Sequence, residues 1–290
     1  MGAYLKYISA LMLFGSNGVV ASHISLSSYE IVFLRTLIGS AFLAALFFLS
    51  GGRPRGIKNR RDLLFLAISG IAMGANWMFL YEAYVRVGVS IATLANYCGP
   101  VVVMALSPLL LHERLTFLSA AVFFVVLAGM FLVNGGALLA GGLSWGLACG
   151  LLSAVMYAFM VIFNKMAEGI TGLENAVFQL FFSFLAVAVF VFAKQGPYVP
   201  LTAPELVPVV FLGIVNTGVG CYLYFSSIQR LPAGVVAVCG YLEPLSALMF
   251  SAIFLHERLT AVQLLGAFLI IGGAAFYSVV CGYRKRTENS

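Results

Sequence analysis

The chain has 290 residues, of which 62% are hydrophobic and only 9% are charged, with 16 basic against 10 acidic residues. Soluble domains carry roughly 25% charged residues, so this chain cannot cover itself with a water-facing surface. The composition excludes a soluble globular protein and predicts an all-α polytopic membrane protein.

Ten apolar segments follow one another along the chain, separated by short polar breaks. Each is about 17–25 residues long, the length that a helix needs to cross the hydrocarbon core of a bilayer. A helix satisfies its own backbone hydrogen bonds, so such a chain needs no separate soluble core. The predicted transmembrane spans are 3–22, 29–50, 62–83, 87–111, 116–134, 143–164, 173–193, 205–226, 232–255 and 260–282.

Basic residues predict the orientation of these spans. The loop 51–61 holds five Lys or Arg residues and the tail 283–290 holds three. A cytosolic loop, with ten spans, also places both termini in the cytosol and leaves only Arg35, Arg86, Lys194 and Arg258 toward the outside. This positive-inside bias sets the orientation, and the net charge of +6 then reflects topology rather than nucleic-acid binding. We expect an integral protein of the bacterial cytoplasmic (inner) membrane. The alternative for the basic loop is contact with anionic lipid.

The string LHERLT occurs twice, at Leu111–Thr116 and at Leu255–Thr260. A shift of 144 positions, from 111 to 255, also places Tyr97 on Tyr241, Pro100 on Pro244 and Gly129 on Gly273. Five spans per repeat is an odd number, so the second copy enters the membrane inverted, as in many secondary transporters. We predict two inverted five-helix repeats, 1–140 and 141–290. The LHERLT strings themselves are interpreted as helix ends, with Thr as the N-cap of the next span.

The repeated pattern resembles a known family. In both halves a membrane proline is followed by a His-Glu-Arg-Leu-Thr turn and then by a helix with a late glycine. This pattern, together with Arg35 near the start of the second span, is similar to the ten-helix EamA-type members of the drug/metabolite transporter superfamily. The resemblance implies a secondary transporter, with export favoured, whose central cavity is lined by helices one, three, four, six, eight and nine. Relatives handle amino acids, amines, sugar phosphates and nucleotide sugars, so the resemblance does not name the substrate.

Two prolines, Pro100 and Pro244, lie near the middle of spans four and nine. A proline there removes a backbone hydrogen bond and kinks its helix, which frees the carbonyls of Asn96 and Gly240. In lipid such carbonyls are tolerated where protein or a wet cavity satisfies them. We interpret the pair as hinges beside a ligand chamber; the alternative is a packing kink.

Glu243 precedes Pro244 and therefore also lies near the bilayer centre. A carboxylate at that depth costs roughly 2.5–3.5 kcal/mol on insertion scales, and such residues are functional by default. Its equivalent in the first repeat is Gly99, so the repeat does not account for it. Glu243 is a candidate proton-coupling group; pairing with a cation or a substrate ammonium, or a structural role as a protonated acid, remains open.

Amide and aromatic side chains recur at helical spacing on the spans that would surround Glu243. Together they predict a chamber with aromatic walls, amide groups and one acid, although some tyrosines near span ends could belong to the interfacial aromatic belt. The candidate cavity residues are Asn17, Asn76, Trp77, Tyr81, Asn96, Tyr97, Tyr157, Tyr222, Tyr241 and Glu243.

Arg35 is the only basic residue well inside a span. It could contact a substrate anion or pair with Glu30 or Glu82, while Glu82 and Arg86 form a local i,i+4 pair. A phosphorylated substrate would need a cluster of basic groups. Aromatic walls with one acid better suit an amino acid, or an organic or quaternary amine through cation–π contact.

Three functional classes therefore compete. They are a secondary transporter of a small polar metabolite such as an amino acid, a membrane-embedded enzyme, and a flippase of lipid-linked substrates or an assembly scaffold. The three histidines fall at span ends and the five cysteines show no metal-ligand spacing, so no catalytic centre, metal or cofactor is predicted. We expect a transporter working by alternating access, possible proton coupling, the lipid bilayer as environment, and a monomer or weak dimer.

Overall fold

The computed structural model describes residues 2–54, 56–87, 92, 95–112, 116–134, 145–196, 201–254, 260–262, 264–273 and 276. All regular elements in these residues are helical. The α-helices are α1 Ala3–Gly15, α2 Asn17–Ala21, α3 Ser28–Leu49, α4 Arg60–Val87, α5 Gly99–Leu110, α6 Phe117–Asn134, α7 Trp145–Met166, α8 Gly172–Gln195, α9 Ala203–Phe211, α10 Gly220–Ile228, α11 Ala233–Gly240, α12 Leu242–Phe254 and α13 Leu264–Gly273. A 3₁₀ turn lies at Gly56–Lys58, and a π-helical segment, Leu212–Val219, joins α9 to α10.

Within the described part of the chain, six helical segments are long and apolar enough to cross a bilayer. They are Ser28–Leu49, Arg60–Val87, Trp145–Met166, Gly172–Lys194, Ala203–Ile228 and Ala233–Phe254. Their outer faces, and those of the shorter helices, carry large exposed apolar side chains such as Leu49, Phe117 and Phe268. The prediction of an all-helical integral membrane protein is confirmed, while the number of ten spans stays a prediction.

Three of the predicted spans, the first, eighth and ninth, contain an interruption among the described residues, and span four is also interrupted, at Tyr97 and Cys98, just before α5. The first span is divided at Ser16 into α1 and α2, and the ninth is divided at Tyr241 into α11 and α12. The eighth contains the π-helical segment, whose wider winding is often found at functional sites. The third span is longer than predicted, because helix α4 extends from Arg60 to Val87 without a break.

Capping boxes fix the starts of α3 and α9. The Ser27 hydroxyl accepts a hydrogen bond from the Glu30 backbone N–H, and Glu30 Oε2 accepts one from the Ser27 N–H at 2.8 Å. Thr202 and Glu205 repeat this arrangement at the start of α9. Each box satisfies backbone donors that the first helical turn leaves without a partner.

Small residues allow the helices to approach closely. A Cβ atom on Gly70 would lie 2.6 Å from the Gln179 carbonyl oxygen, and one on Gly74 would lie 2.9 Å from the Ser183 carbonyl oxygen. Helix α4 therefore packs closely on α8 through the Gly70–Gly74 pair, a contact between small residues that is typical of membrane helices.

Helices α6 and α13 also approach each other closely through glycine, and here each helix contributes one glycine. A Cβ atom on Gly129 would lie 2.7 Å from the Gly266 carbonyl oxygen, and one on Gly273 would lie 2.5 Å from Val126 Cγ2. Gly129 and Gly273 are equivalent positions of the 144-residue repeat. Each helix thus meets the other through the same glycine.

Only part of the LHERLT prediction can be followed. Thr116 lies directly before α6, and its carbonyl accepts the Ala120 N–H at 3.1 Å. The Thr260 carbonyl likewise accepts the Leu264 N–H at 3.0 Å. Both threonines thus occupy the predicted position ahead of a helix; residues 113–115 and 255–259 lie outside the described residues.

Candidate substrate cavity

A cavity of about 100 Å³ lies among the interrupted helices. Because one water occupies roughly 10–15 Å³ on this measure, the space holds several waters or one small metabolite. Helices from both halves of the chain contribute to its wall. The lining residues are Phe14, Asn17, Arg35, Met73, Asn76, Trp77, Leu80, Asn96, Tyr97, Pro100, Tyr157, Met160, Cys221, Tyr224, Phe225, Gly240 and Glu243.

Arg35 supplies the positive group of the cavity. Its guanidinium lies over the Trp77 ring, 4.8 Å from the ring centroid, and its Nε donates to Thr217 Oγ1 at 2.9 Å. Thr217 belongs to the π-helical segment and in turn donates to the Leu212 carbonyl. The side chain is only 5% exposed, and no carboxylate among the described residues lies within 4 Å of its guanidinium.

The partners expected for Arg35 are engaged elsewhere. Glu30 caps α3, and Glu82 pairs with Arg86 at 2.7 Å and with Lys194 at 2.8 Å. The i,i+4 pair of Glu82 with Arg86 is confirmed, whereas pairing of Arg35 with either acid is not found. The two terminal guanidinium nitrogens of Arg35 make no hydrogen bond within the described residues, so they are available to a ligand.

Glu243 supplies the negative group. It lies in the first turn of α12, and its side chain borders the cavity. Among the residues that the structure describes, no cation lies within 4 Å of its carboxylate and no side chain donates to it. A carboxylate so placed can accept a proton or bind a cationic ligand group.

Three polar groups form a fixed triangle on one wall. Asn76 Nδ2 donates to Asn96 Oδ1 at 2.8 Å and to the Ser153 carbonyl at 2.8 Å. The Ser153 hydroxyl also donates to Asn96 Oδ1, at 2.9 Å. The triangle ties α4 to α7 and to the residue that precedes α5, so this wall is held rigid by its own hydrogen bonds.

Tyrosines form another part of the cavity wall. The hydroxyls of Tyr157 and Tyr224 lie 3.1 Å apart, and the Tyr224 ring packs 5.4 Å from that of Tyr7. The Tyr7 hydroxyl donates to the Val236 carbonyl at 2.8 Å, which anchors α1 to α11. The wall therefore offers aromatic faces together with hydroxyl groups.

The break in the first span is held by the π-helical segment. Asn216 Nδ2 lies 2.8 Å from the Leu13 carbonyl, 2.8 Å from Ser16 Oγ and 3.0 Å from Asn17 Oδ1. These are the acceptors that surround the division between α1 and α2. Asn216 thus replaces backbone bonds that the break removes, as non-helical backbone within a membrane requires.

The two prolines lie beside the breaks rather than at their centres. Pro100 is the second residue of α5, where the absent N–H leaves no hydrogen bond unmade. The helical hydrogen-bond pattern is interrupted just before it, at Tyr97 and Cys98, and in the second half at Tyr241, three residues before Pro244, although Cys98 and Tyr241 keep helical dihedral angles. Both interruptions therefore precede the prolines by two or three residues.

The structure brings most of the predicted cavity residues together. Asn17, Asn76, Trp77, Asn96, Tyr97, Tyr157 and Glu243 line one cavity, together with Arg35 and Pro100. Three predicted wall residues lie outside it: Tyr81 packs on Tyr84, Tyr222 lies beneath the Lys6 ammonium, and Tyr241 is buried with its hydroxyl on the Tyr97 carbonyl.

Sequence reasoning missed much of the apolar wall. The lining residues that no sequence pattern indicated are Phe14, Met73, Leu80, Cys221 and Phe225. Nothing in their types separates them from the many other apolar residues of the spans. Met160 and Tyr224 lie on the polar and aromatic stripes of spans six and eight, and Gly240 carries one of the carbonyls expected beside the prolines, so the sequence did indicate these three.

Comparison with known proteins identifies the family. The model of the EamA-like transporter family matches residues 1–135 and matches again over residues 144–279. The chain belongs to the EamA-like transporter family. The resemblance inferred from the repeated proline and His-Glu-Arg-Leu-Thr pattern is confirmed, and the protein is a membrane transporter of the EamA type.

Relatives of this EamA-family transporter carry transporter names without a stated substrate. The chain is 28% identical to the uncharacterized transporter YxxF of Bacillus subtilis, covering 94% of this chain and 88% of the relative. It is 25% identical to the uncharacterized inner membrane transporter YicL of Salmonella typhimurium, over 97% of each chain. A crystal structure that is 19% identical superposes with a TM-score of 0.82 over 96% of both chains, which shows a shared fold.

Proposed function

We propose that this protein carries a small zwitterionic metabolite, an amino acid, across the membrane. The observation behind the proposal is that one cavity contains both a buried guanidinium, Arg35, and a carboxylate, Glu243, neither of which has an ion-pair partner among the described residues. An amino acid offers a carboxylate to Arg35 and an ammonium to Glu243. Such a ligand would replace the water that both groups lose on burial.

The same two charges argue against the other substrate classes. A sugar phosphate or nucleotide sugar carries a doubly charged group that needs several cations, and among the described residues Arg35 is the only basic one that lines the cavity. An organic amine would be attracted by Glu243 and the aromatic rings. However, it would leave the Arg35 guanidinium without an anion and facing a second cation.

Transport by alternating access between two inverted repeats is part of the proposal, and equivalent contacts in the two halves support it. Asp62, in the first turn of α4, accepts the Gly169 N–H at 2.8 Å. Glu205, in the first turn of α9, accepts the Ser25 N–H at 2.8 Å. Ser25 and Gly169 are equivalent positions of the 144-residue repeat. The two acids stand one position out of register, since Asp62 corresponds to Leu206, but both lie in the first turn of equivalent helices. Each half thus binds the other through a similar contact, as expected of an inverted pair.

We further propose that Glu243 couples transport to protons and that the physiological direction is export from the cytosol across the inner membrane. A carboxylate that loses hydration inside a membrane favours its protonated form, and a bound ammonium favours the ionised form. Exchange of one for the other would link substrate release to proton uptake. The direction rests on the family resemblance.

Uptake assays in proteoliposomes test the substrate. Three matched probes are compared: a labelled amino acid, the amine obtained by its decarboxylation and the acid obtained by its deamination. We expect transport of the amino acid alone. Arg35→Gln and Glu243→Gln should each weaken apparent affinity at least about tenfold, equal to about 1.4 kcal/mol.

Glu168→Gln provides the control, since it removes one carboxylate from an exposed turn without touching the cavity. It should leave uptake unchanged. Equal uptake of the amine by the wild type and by Arg35→Gln would refute recognition of a zwitterion. A pH-sensitive dye inside the same vesicles reports coupling, which should disappear in Glu243→Gln while exchange of labelled substrate persists.

A further inference from the structure

A second cavity opens on the membrane-facing side of the bundle, away from the central one. It is a groove of about 310 Å³ between α4, the start of α7 and the end of α8, hereafter the α4–α8 groove. Its floor is made of small residues, and large apolar side chains border it. The lining residues are Ile71, Gly74, Ala75, Met78, Phe79, Glu82, Trp145, Cys149, Ala186, Phe190 and Lys194.

The groove has the length of one bilayer leaflet. It follows α4 from Ile71, near the middle of that helix, to Glu82, near its end. At 1.5 Å per residue this distance is about 16 Å. The hydrocarbon core is about 30 Å thick, so the groove reaches from the bilayer centre to one interface. Trp145, the first residue of α7, lies at the same end, where tryptophan is enriched in membrane proteins.

Charge is confined to the interfacial end. Glu82 and Lys194 are the charged lining residues, and their side chains form an ion pair at 2.8 Å. Arg86 binds the same carboxylate through Nε at 2.7 Å. Two cations therefore share one acid, which leaves one positive charge. Arg86 and Lys194 are about half exposed, with side-chain exposures of 51% and 42%.

Both cations also keep unused hydrogen-bond donors. Arg86 donates through Nε only, and its two terminal nitrogens make no bond within the described residues. Lys194 donates to Glu82 and to the Tyr29 hydroxyl, which accounts for two of its three ammonium protons. The remaining donors face the level of the lipid headgroups.

We propose that the α4–α8 groove is a binding site for one anionic phospholipid. An acyl chain fills the apolar groove between Ile71 and Phe79, and the headgroup phosphate contacts Arg86 and Lys194. A zwitterionic lipid gains the same apolar contact but adds an ammonium beside the two cations. The groove therefore selects a headgroup with net negative charge, such as phosphatidylglycerol. The site is separate from the substrate cavity and does not depend on which metabolite is carried.

Lipid retention by the purified full chain tests the proposal. The protein is reconstituted in nanodiscs of equal phosphatidylglycerol and phosphatidylcholine, re-extracted in mild detergent, and the lipids that remain bound are counted by native mass spectrometry. We expect about one retained phosphatidylglycerol with about a fivefold preference, the selectivity that one cation at a membrane surface provides. Lys194→Gln should remove the preference and keep the lipid count.

A second variant separates the groove from the charge. Ala75→Phe fills the floor without altering Glu82, Arg86 or Lys194, and it should abolish retention. Val189→Phe is the matched control, because Val189 is a lipid-facing residue of α8 that does not line the groove and is 71% exposed. It should retain lipid like the wild type.

Three results would overturn the proposal. They are equal retention of the two lipids by the wild type, full retention by Ala75→Phe, or a dimer in native mass spectra that Ala75→Phe dissociates. The last result would assign the groove to a contact between two copies of the chain. Because lipid binding is read without substrate, none of these results bears on the proposed amino acid transport.

Discussion

Replacing Tyr241 with phenylalanine should shift the balance between the two access states. Tyr241 is completely buried, and its hydroxyl donates to the Tyr97 carbonyl at 2.9 Å. Tyr97, its equivalent in the first repeat, instead lines the cavity, and its hydroxyl makes no hydrogen bond within the described residues. If the repeats exchange conformations during transport, the opposite state has the Tyr97 hydroxyl on the Tyr241 carbonyl. The present bond therefore stabilises only one of the two states.

The size of the shift follows from one lost hydrogen bond. Such bonds between membrane helices are worth about 0.6 kcal/mol on average and up to about 1.7 kcal/mol. These energies correspond to a change of about 3-fold to 18-fold in the equilibrium between the states. Tyr97→Phe should leave the present state intact and weaken the opposite one, so its shift has a similar size and the reverse sign.

Accessibility of the cavity from one side of the membrane measures this equilibrium. Met73, which lines the cavity, is replaced by cysteine in a variant that lacks the native cysteines. The rate at which a membrane-impermeant maleimide labels this cysteine is then measured in sealed vesicles of known orientation. One tyrosine variant should label faster than the parent and the other more slowly. Changes of the same sign in both variants, or no change in either, would refute the exchange of repeat conformations.

Two further predictions concern packing and the contacts between halves. Gly273→Val should destabilise the α6–α13 contact, because the added Cβ would lie 2.5 Å from a methyl group of Val126. Gly272→Val is the control and should be close to neutral, since a Cβ atom there would have no neighbour within 4 Å. Thermal unfolding in detergent compares the two variants. Asp62→Asn and Glu205→Gln should each lower the midpoint of thermal unfolding, because each weakens charge-assisted hydrogen bonds to backbone N–H groups. A loss confined to one variant would contradict the equivalence of the two contacts.

The fold class was within reach of the sequence because the bilayer imposes simple rules. Long apolar runs must be helices there, and small residues such as Gly70 and Gly74 mark close helix contacts. The breaks were partly visible as well. Gly-Ser-Asn-Gly at residues 15–18 is a turn-forming cluster inside an apolar run, and the chain does divide there, at Ser16. The prediction of one continuous helix over 3–22 relied on the hydropathy of the run and overlooked this turn-forming cluster.

The contacts of the charged residues were less predictable. The sequence favoured local ion pairs for both Arg35 and Arg86. The pair of Glu82 with Arg86, four positions apart, is present, whereas Arg35 has no such local partner among the described residues. The hydrogen-bond partner of Arg35 is Thr217, which lies 182 positions away. Thr217 belongs to a π-helical segment, and the hydrophobic periodicity of the sequence does not predict a π-helix there. Such a contact exists only after the two halves of the chain have packed together. Hydropathy and helical period describe one helix at a time.

The charged residues of the cavity depart from the 144-residue repeat of the sequence, and this difference bears on how a substrate is held. The repeat equivalent of Arg35 is Gln179, which is completely buried outside the cavity, and that of Glu243 is Gly99. A Cβ atom on Gly99 would lie 2.6 Å from the Tyr157 ring, so an aromatic side chain occupies the space where a second acid would begin.

If the repeat had placed a second arginine and a second acid in this cavity of about 100 Å³, a zwitterion could bind in two opposite orientations. In either orientation it would contact one arginine–acid pair and leave the charges of the other pair without a partner. With a single pair, the ligand has one favourable orientation throughout the cycle. We therefore expect the backbone of the two halves to exchange roles around a substrate that keeps its carboxylate on Arg35 until it is released.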